Sequence, residues 1–393
     1  MRSRVPVDGH YESTAGTLMR TRFAGDTVSM LNQTKLLNII SGKQKGLVAG
    51  AVRLGLGCLT PIYRTAMYWR NRKFDRAIHD DGQGIIKRAS IPVISVGNLT
   101  TGGTGKTPFV IWIAKYLQDR SLRVVLISRG YGLKKSERIA VPNDEALEME
   151  RRLDDVPHLQ DPDRFRMVQI AEQEHDSEII VLDDAFQHRR LHRDLDLVLI
   201  DATAPFGFNR LLPRGLLREP LSSLRRADAV VLTRADLVDD NKREAIIKRI
   251  REENGSALIA QTQTTMTGLI QFDGHQEALS KVAHKSIYVF CGIGNPDSFI
   301  ATINQLQCDI AGSSVFPDHH HYQHYDLDRI GQSAVDLGAT AILCTHKDLV
   351  KIGFSRLAGV PLYAVLIDIK FQSGKKGIEQ MLDRLAQSIS TNG

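Results

Sequence analysis

Residues 91–108 read IPVISVGNLTTGGTGKTP. An apolar run, 91–96, predicts a strand, and the residues from Pro108 onward predict a helix. Between them, Gly102-Gly103-Thr104-Gly105-Lys106-Thr107 forms the core of a phosphate-binding loop. The glycines let the backbone curl so that its N–H groups converge on phosphate oxygens, and the helix N-terminus adds a favourable dipole. Lys106 is placed to neutralise β- and γ-phosphates and Thr107 to hold Mg²⁺. The expected ATP-binding set runs from Thr100 and Thr101 through Gly102, Gly103, Thr104 and Gly105 to Lys106 and Thr107. The first position of the full pattern is Thr100 rather than glycine, so the flanking strand and helix supply the confirming context.

The same rhythm continues on both sides of this motif. Strand-like runs at 124–127, 179–182, 197–200, 229–232 and 258–260 alternate with helical stretches such as 108–118 and 241–253. Such alternation predicts a parallel sheet covered on both faces. Residues 262–284 lose the rhythm and read as a connector, a β-ribbon. It restarts at 287–291, with further strands near 312–316, 341–344 and 362–367 and a last helix at 378–388. The expected fold is therefore α/β: a P-loop NTPase-like parallel-sheet domain at 91–261 and a second, smaller α/β domain at 285–393, joined by the ribbon. Residues 1–41 read as a poorly structured extension and lack the apolar run of a secretory signal.

The chain has 393 residues, 42% hydrophobic and 24% charged. That composition excludes a disordered, collagen-like or polytopic membrane protein. Cys58, Cys291, Cys308 and Cys344 lie far apart without metal-ligand spacing, as expected of reduced thiols in a cytosolic protein. The net charge is +6, but residues 42–90 hold ten Lys or Arg against three Asp. That segment is +7 and the rest of the chain −1. It also carries the run GLVAGAVRLGLGCLTPIYRTAMYW at 46–69, interrupted by Arg53 and Arg64. Neither uncharged piece approaches the 18 residues of a membrane span. Leu47, Ala51, Leu54, Cys58 and Leu59 share a helical face, followed by Tyr63, Tyr68 and Trp69. This pattern fits an interfacial helix on an anionic membrane, and equally a helix packed on the protein body. Nothing resembles a nucleic-acid-reading motif, so no nucleic-acid partner is expected.

The stretch EIIVLDD, 178–184, is an apolar strand ending in two carboxylates. Beside a P-loop this is the place where Asp183 and Asp184 serve a metal, although an acidic turn after a strand is common by itself. SVGNLTTGGTGKTP is followed in order by SRGYG (128–132), LDDAFQH (182–188), LLPRGLLREPL (211–221), VVLTRADL (230–237), CGIGNP (291–296), FPDHHHY (316–322) and CTHKDLVKI (344–352). Together, over roughly residues 42–390, they resemble the tetraacyldisaccharide 4′-kinase family, the lipid A 4′-kinases.

The resemblance implies transfer of the γ-phosphate of ATP to the 4′-hydroxyl of a tetraacylated glucosamine disaccharide 1-phosphate. It implies Mg²⁺ and a peripheral, monotopic place on the cytoplasmic face of the inner membrane; a monomer is expected. Motif by motif, it implies that His188 is an active-site histidine, and that Arg218 lies near phosphate and Glu219 near the metal. His319 corresponds to a histidine that acts with an aspartate on the sugar hydroxyl. The aspartate's motif corresponds to Pro142-Asn143-Asp144-Glu145-Ala146, which departs from it at Asn143 and Ala146; Asp144 is the candidate. Without the family, His319-His320-His321 reads as a polar loop or metal site, His188 as a turn cap, and Arg218-Glu219 as a surface ion pair. Two other functions compete. Thr233-Arg234-Ala235-Asp236, and less well Thr345-His346-Lys347-Asp348, resemble the guanine reader of a GTPase or metallochaperone. A membrane-tethered nucleotide switch is the other; Thr101 stands where such dimeric ATPases carry an extra lysine.

Overall fold

The computed structural model describes residues 36–79, 84–130, 144–153 and 155–392. Expectations about residues 1–35, Tyr131-Gly132 and Pro142-Asn143 lie outside them. Residues 36–41, read from sequence as the end of a loose extension, are helical. Ile40 anchors them by being buried. Helix α1 (Leu47–His79) then runs through Pro61 as one 33-residue element.

Strand β1 (Val93–Asn98) is buried at every residue because it is central. Helix α2 (Lys106–Gln118) follows it and buries Phe109, Ile113 and Leu117. The chain continues through β2 (Val124–Ser128), α3 (Asp144–Arg152), β3 (His158–Gln160), α4 (Arg164–Glu174), β4 (Ile179–Asp183) and β5 (Leu195–Asp201). It goes on through β6 (Ala229–Thr233), α5 (Asp240–Glu253) and the long β7 (Leu258–Ile270). β1 pairs in parallel with β4 on one side and β5 on the other. This crossover opens a crevice at the carboxyl ends of β1 and β4, the usual ligand position of a doubly wound sheet. The register sets Val96 opposite Asp183, so the phosphate loop and the acidic pair leave adjacent strands at the same height.

The second half adds the short β8 (Gln276–Glu277), β9 (Ser286–Cys291), α6 (Pro296–Ile303), β10 (Asp309–Val315), α7 (His324–Asp336) and β11 (Ala341–Thr345). Then come α8 (His346–Ile352), the short β12 (Arg356–Leu357), β13 (Val360–Ser373) and α9 (Lys375–Asn392). One sheet runs across the molecule in the order β10-β9-β11-β13-β7-β6-β5-β1-β4-β2-β3. All its neighbours are parallel except β13 and β7. Strand direction therefore reverses at that pair. Register shifts at Leu366/Ile367 and Phe371/Ser373 bend the pair, as bulges do.

Helix α9 differs from its expected place. The sequence assigns it to the smaller unit, but its Ile378 and Leu382 join the buried cluster of Phe109 and Ile113. Tyr116 donates to Asp383 at 3.0 Å. The long β13 carries the chain back across the molecule, and α9 closes over the P-loop half.

Gly97 shows how tightly β1 is packed. A Cβ there would stand 2.6 Å from Phe186 Cβ and 2.7 Å from the Phe186 backbone nitrogen. The obstacle includes backbone of the buried turn after β4, so overpacking of about 1–3 kcal/mol outweighs the roughly 0.4–1 kcal/mol entropic gain of Gly→Ala. Gly97→Ala should lower the urea midpoint at unchanged m-value.

Candidate active site

The phosphate loop is held open by side chains around it. Asn98 Nδ2 donates to Thr104 Oγ1 at 3.1 Å, and Thr233 Oγ1 donates to the Thr104 carbonyl at 2.9 Å. Arg234 donates to the Gly103 carbonyl at 3.0 Å. Gly105, at φ +80°, takes the left-handed conformation that turns the loop into α2. Among the described residues the amides of 102–105 donate to no backbone carbonyl. The loop thus fixes its carbonyls and leaves its donors facing the cavity, the arrangement an anion requires.

Lys106 Nζ lies 3.4 Å from Asp184 Oδ1, and Arg218 Nη1 lies 2.9 Å from Asp184 Oδ2. Burial raises the Asp184 pKa, but Lys106 and Arg218 outweigh it and hold the carboxyl at about 2. Asp183 behaves oppositely. Burial pushes its pKa up, with Lys106 opposing. Its Oδ1 is buried without a hydrogen-bond partner among the described residues. Asp184 adopts φ +49°, uncommon outside glycine, which turns its side chain away from the line of β4. Arg164 is buried and donates to both aspartate carbonyls at 3.0 Å, fixing this turn.

The second half brings His319 across. Its Nδ1 lies 2.8 and 3.1 Å from the two carboxylate oxygens of Asp144. Asp144 opens α3 and is buried. Burial raises its pKa, but the His319 hydrogen bond and the Lys347 and Lys351 charges drive it well below the usual carboxylate range. The Asp144 hydrogen bond in turn raises the His319 pKa above its ordinary 6.5, against burial. An imidazole bonded through Nδ1 to a carboxylate keeps Nε2 for a proton from elsewhere. His319 sits at φ +60° on an exposed turn, and its side chain lines the cavity.

All these groups line one cavity of about 300 Å³, from Gly102–Pro108, Asp183, Asp184 and Arg218 to Gly294, Asn295, His319 and Lys347. The lining also includes the apolar side chains of Met149, Phe299, Val365 and Ile367. Two polar groups stand among them. His346 is 3% exposed; neither ring nitrogen has a hydrogen-bond partner among the described residues, and Nδ1 lies 4.0 Å from Glu148 Oε1. Burial, then Arg152 and Arg151, lowers its pKa to about 4. Burial raises the neighbouring Glu148 to about 7.

Not every expected residue faces the cavity. Thr100 bridges Leu217, and the Thr101 amide donates to Leu216, so both brace the loop from behind. His188 is outside the lining, and burial together with Arg164, Arg193 and Arg190 lowers its pKa to about 4. Glu219, expected near metal, is fully buried between Arg70 at 3.0 Å and Arg226 at 2.6 Å. Both its oxygens are committed to arginines; its carboxylate holds α1. The two guanine-reader look-alikes are also accounted for. Asp236 is exposed and outside the lining. Asp348 is buried, accepting from Gly292 N and Tyr322 Oη at 3.0 Å each. Sequence reasoning missed Arg164, Lys347 and Lys351. Lys347 and Lys351 lie in CTHKDLVKI (344–352), which was read as a family motif and, at 345–348, as a guanine-reader look-alike, with no role given to either lysine.

The chain was compared with known proteins. The family profile described as tetraacyldisaccharide-1-P 4′-kinase matches residues 53–387. A tetraacyldisaccharide 4′-kinase of Halothermothrix orenii is 33% identical over 348 residues, 82% of this chain and 88% of that protein. One of Anaeromyxobacter sp. (strain Fw109-5) is 36% identical over 322 residues, 78% of this chain and 86% of that protein. The crystal structure of Aquifex aeolicus LpxK in complex with ATP is similar with a TM-score of 0.66 at 28% identity, covering 85% of this chain and 99% of that one.

The His319–Asp144 pair makes a titration prediction. A base is competent only when neutral, and the carboxylate raises the pH at which His319 becomes neutral. His319 should titrate above 6.5 by ¹H–¹⁵N NMR, and Asp144→Asn should move that midpoint down.

Proposed function

The chain belongs to the tetraacyldisaccharide-1-phosphate 4′-kinase family, and from that premise we propose which residues carry its reaction. It is an ATP-dependent kinase that phosphorylates the 4′-hydroxyl of tetraacyldisaccharide 1-phosphate, giving lipid IVA in lipid A biosynthesis. The observation that carries the residue assignment is the single cavity shared by the phosphate loop and the Asp144–His319 pair.

The loop amides and Lys106 hold the β- and γ-phosphates. Arg218 sits beside Lys106 through their shared partner Asp184, where it meets the charge spread over the transferring phosphoryl group. The acceptor hydroxyl approaches from the side of His319. Nε2 takes the hydroxyl proton as the oxygen–phosphorus bond forms, and Asp144 holds the imidazole and supports its charge. The bond to ADP breaks on the opposite side of phosphorus, toward Lys106.

Residues for Mg²⁺ are consistent with this reading. Among the described residues no three His, Cys, Asp or Glu side chains form a ready-made metal group. Mg²⁺ needs none, because it binds one or two protein oxygens and completes its shell with phosphates and water. The partnerless Asp183 Oδ1 and the hydroxyl of Thr107 are the oxygens offered, with Asp184 beside them. When bound, the ion neutralises phosphate charge and polarises the transferring group. The adenine is assigned to the apolar part of the lining, with His346 and Glu148 as the polar side chains beside it. His188 and Glu219 act behind the site, on the loop that carries Gln187 and on α1.

Peripheral membrane association fits α1. Leu47, Leu54, Ile62 and Trp69 recur about every two turns and are exposed, Leu47 to 95%. Ala51, Cys58 and Leu59 of the expected face are exposed too. No helix among the described residues is long and apolar enough to cross a membrane. Family membership makes the cytoplasmic face of the inner membrane the proposed location. A monomer is proposed as the assembly state.

Two experiments test this reading. Purified protein with Mg·ATP should add one phosphate to tetraacyldisaccharide 1-phosphate, read by mass spectrometry; strict dependence on GTP would overturn the base assignment. Lys106→Ala should cost roughly 10²–10³ in kcat, whereas His346→Ala should raise KM for ATP several-fold with kcat nearly unchanged.

A further inference from the structure

Two buried charges of α8, Asp348 and Lys351, are left unused by phosphoryl transfer. Asp348 is fully buried, and the Lys351 side chain is 10% exposed. Neither lines the cavity, whereas Lys347 on the same helix does. A lysine this deep must be paired, because its ammonium has lost its water. Lys351 Nζ has two carboxylate partners: Asp348 Oδ1 at 3.2 Å and Asp144 Oδ2 at 3.3 Å. It therefore joins α8 to the carboxylate that holds His319.

Part of this arrangement is helix capping. Thr345 Oγ1 accepts from the Asp348 amide at 3.1 Å and donates to Asp348 Oδ2 at 2.6 Å, which secures the first turn of α8. Capping does not explain the other contacts. Asp348 Oδ2 also accepts from the Gly292 amide at 3.0 Å, and Oδ1 accepts from Tyr322 Oη at 3.0 Å. These donors sit on the loops after β9 and β10. A Cβ on Gly292 would stand 3.0 Å from the Pro317 carbonyl oxygen and 3.0 Å from Tyr322 Oη. Both loops thus converge on one carboxylate, and His319 lies between Pro317 and Tyr322 in sequence. The Tyr322 ring meets Phe290 and Phe316 edge-on, at 5.5 and 5.2 Å between centroids, so apolar contacts hold this loop as well.

The Asp144 carboxylate needs such a hold. The terminal torsion of an aspartate is broad, so a single partner leaves the carboxylate plane free to swing. His319 Nδ1 makes its shorter contact, 2.8 Å, to Oδ1, and Lys351 pins Oδ2. One hub then sets both members of the pair. Asp348 holds the His319 loop through Tyr322 and the Asp144 carboxylate through Lys351. We propose that Asp348 and Lys351 are positioning residues for the Asp144–His319 base, fixing the imidazole so that Nε2 faces the acceptor hydroxyl. The assignment rests on the reading of His319 as the base.

The test compares full-length wild type, Lys351→Met and the double variant Lys351→Met/Asp348→Asn. Lys351→Met leaves buried carboxylates without their cation and should lower the melting temperature. In the double variant the charge pair is gone. An asparagine at 348 can still accept from Gly292 and donate to Tyr322, so stability should return. A purely structural role predicts that activity returns with it. Positioning predicts that kcat stays about tenfold or more below wild type, a share of the roughly 10²–10⁴ that a placed base contributes, with KM for ATP unchanged. A second measurement needs no transfer: ¹⁵N NMR of labelled histidine at alkaline pH, with the His319 signal identified by its loss in His319→Gln. Wild type should show the Nδ1–H tautomer, and both variants a larger share of Nε2–H. Wild-type kcat in the double variant, or an unchanged His319 tautomer in the variants, overturns the proposal. If Lys351→Met does not fold, the double variant decides. Should wild type transfer no phosphate to the acceptor, the kinase reading fails instead, and the tautomer still decides the positioning.

Discussion

The antiparallel pairing of β7 with β13 is the constraint on which the rest depends. Parallel strands alone would leave the carboxyl ends of the two halves on one edge of a flat sheet, far apart. Reversal at this pair, together with its bulges, turns the second half over and bends it toward the first. The loops after β9 and β10 and the start of α8 then face the phosphate loop across one cavity. The pairing is between strands 13 and 14 residues long and about a hundred residues apart in sequence. Strands β7 and β13 are also the floor of the cavity, through Thr262, Val365 and Ile367. The joint between the halves is thus itself part of the site.

Within that frame, electrostatics assigns different work to similar residues. Asp183 and Asp184 are neighbours in sequence and opposite in state. Asp184 is ionised by Lys106 and Arg218, while burial works against ionisation of Asp183. A carboxylate that already has two cations is a poor destination for a third. The oxygen left without a partner is on Asp183, so an incoming cation gains most there. Glu219 follows the same logic in reverse. Fully buried and bracketed by Arg70 and Arg226, it is satisfied. Removing one partner of such a buried pair costs about 3–5 kcal/mol, because a bare charge is left behind.

The legible parts of the sequence were those in which the chemistry is local. The phosphate loop needs a strand, a glycine turn and a helix in one 18-residue stretch, and all three are written there. The α/β class and the acidic strand end are equally local signals. Asp144 and His319 were legible only through family resemblance, since 175 residues separate them and no periodicity connects them. The arginine contacts of Glu219 were not legible, because an adjacent Arg-Glu says nothing about which side chain turns inward. Arg70, which occupies it, is 149 residues upstream. Helix α9 was placed by sequence proximity, whereas a long strand carries it back to the other half. Lys347 was missed because nothing local shows that it reaches Glu145, 202 residues upstream, while Asp348 of the same motif is consumed in bracing Gly292 and Tyr322.

The contacts of α1 connect these observations. Its C-terminal half is bound to the two motifs that border the phosphates. Tyr63 Oη donates to the Arg218 carbonyl at 2.8 Å, and Arg70 reaches both Glu219 and the Gln187 carbonyl. Arg189 pairs with Asp75 at 2.6 Å. Its N-terminal half carries exposed leucines and meets the 210–217 hairpin through Ile39 and Ile40. A helix is stiff over this length, so a displacement at one end reaches the other. Tyr63 adds to the bond from the Arg218 amide to the Leu99 carbonyl at 2.8 Å in holding the backbone from which Arg218 reaches Asp184. Any lipid that fixes the exposed end of α1 therefore also fixes the backbone that carries Arg218. Binding grease and positioning charge are, in this molecule, functions of the same helix.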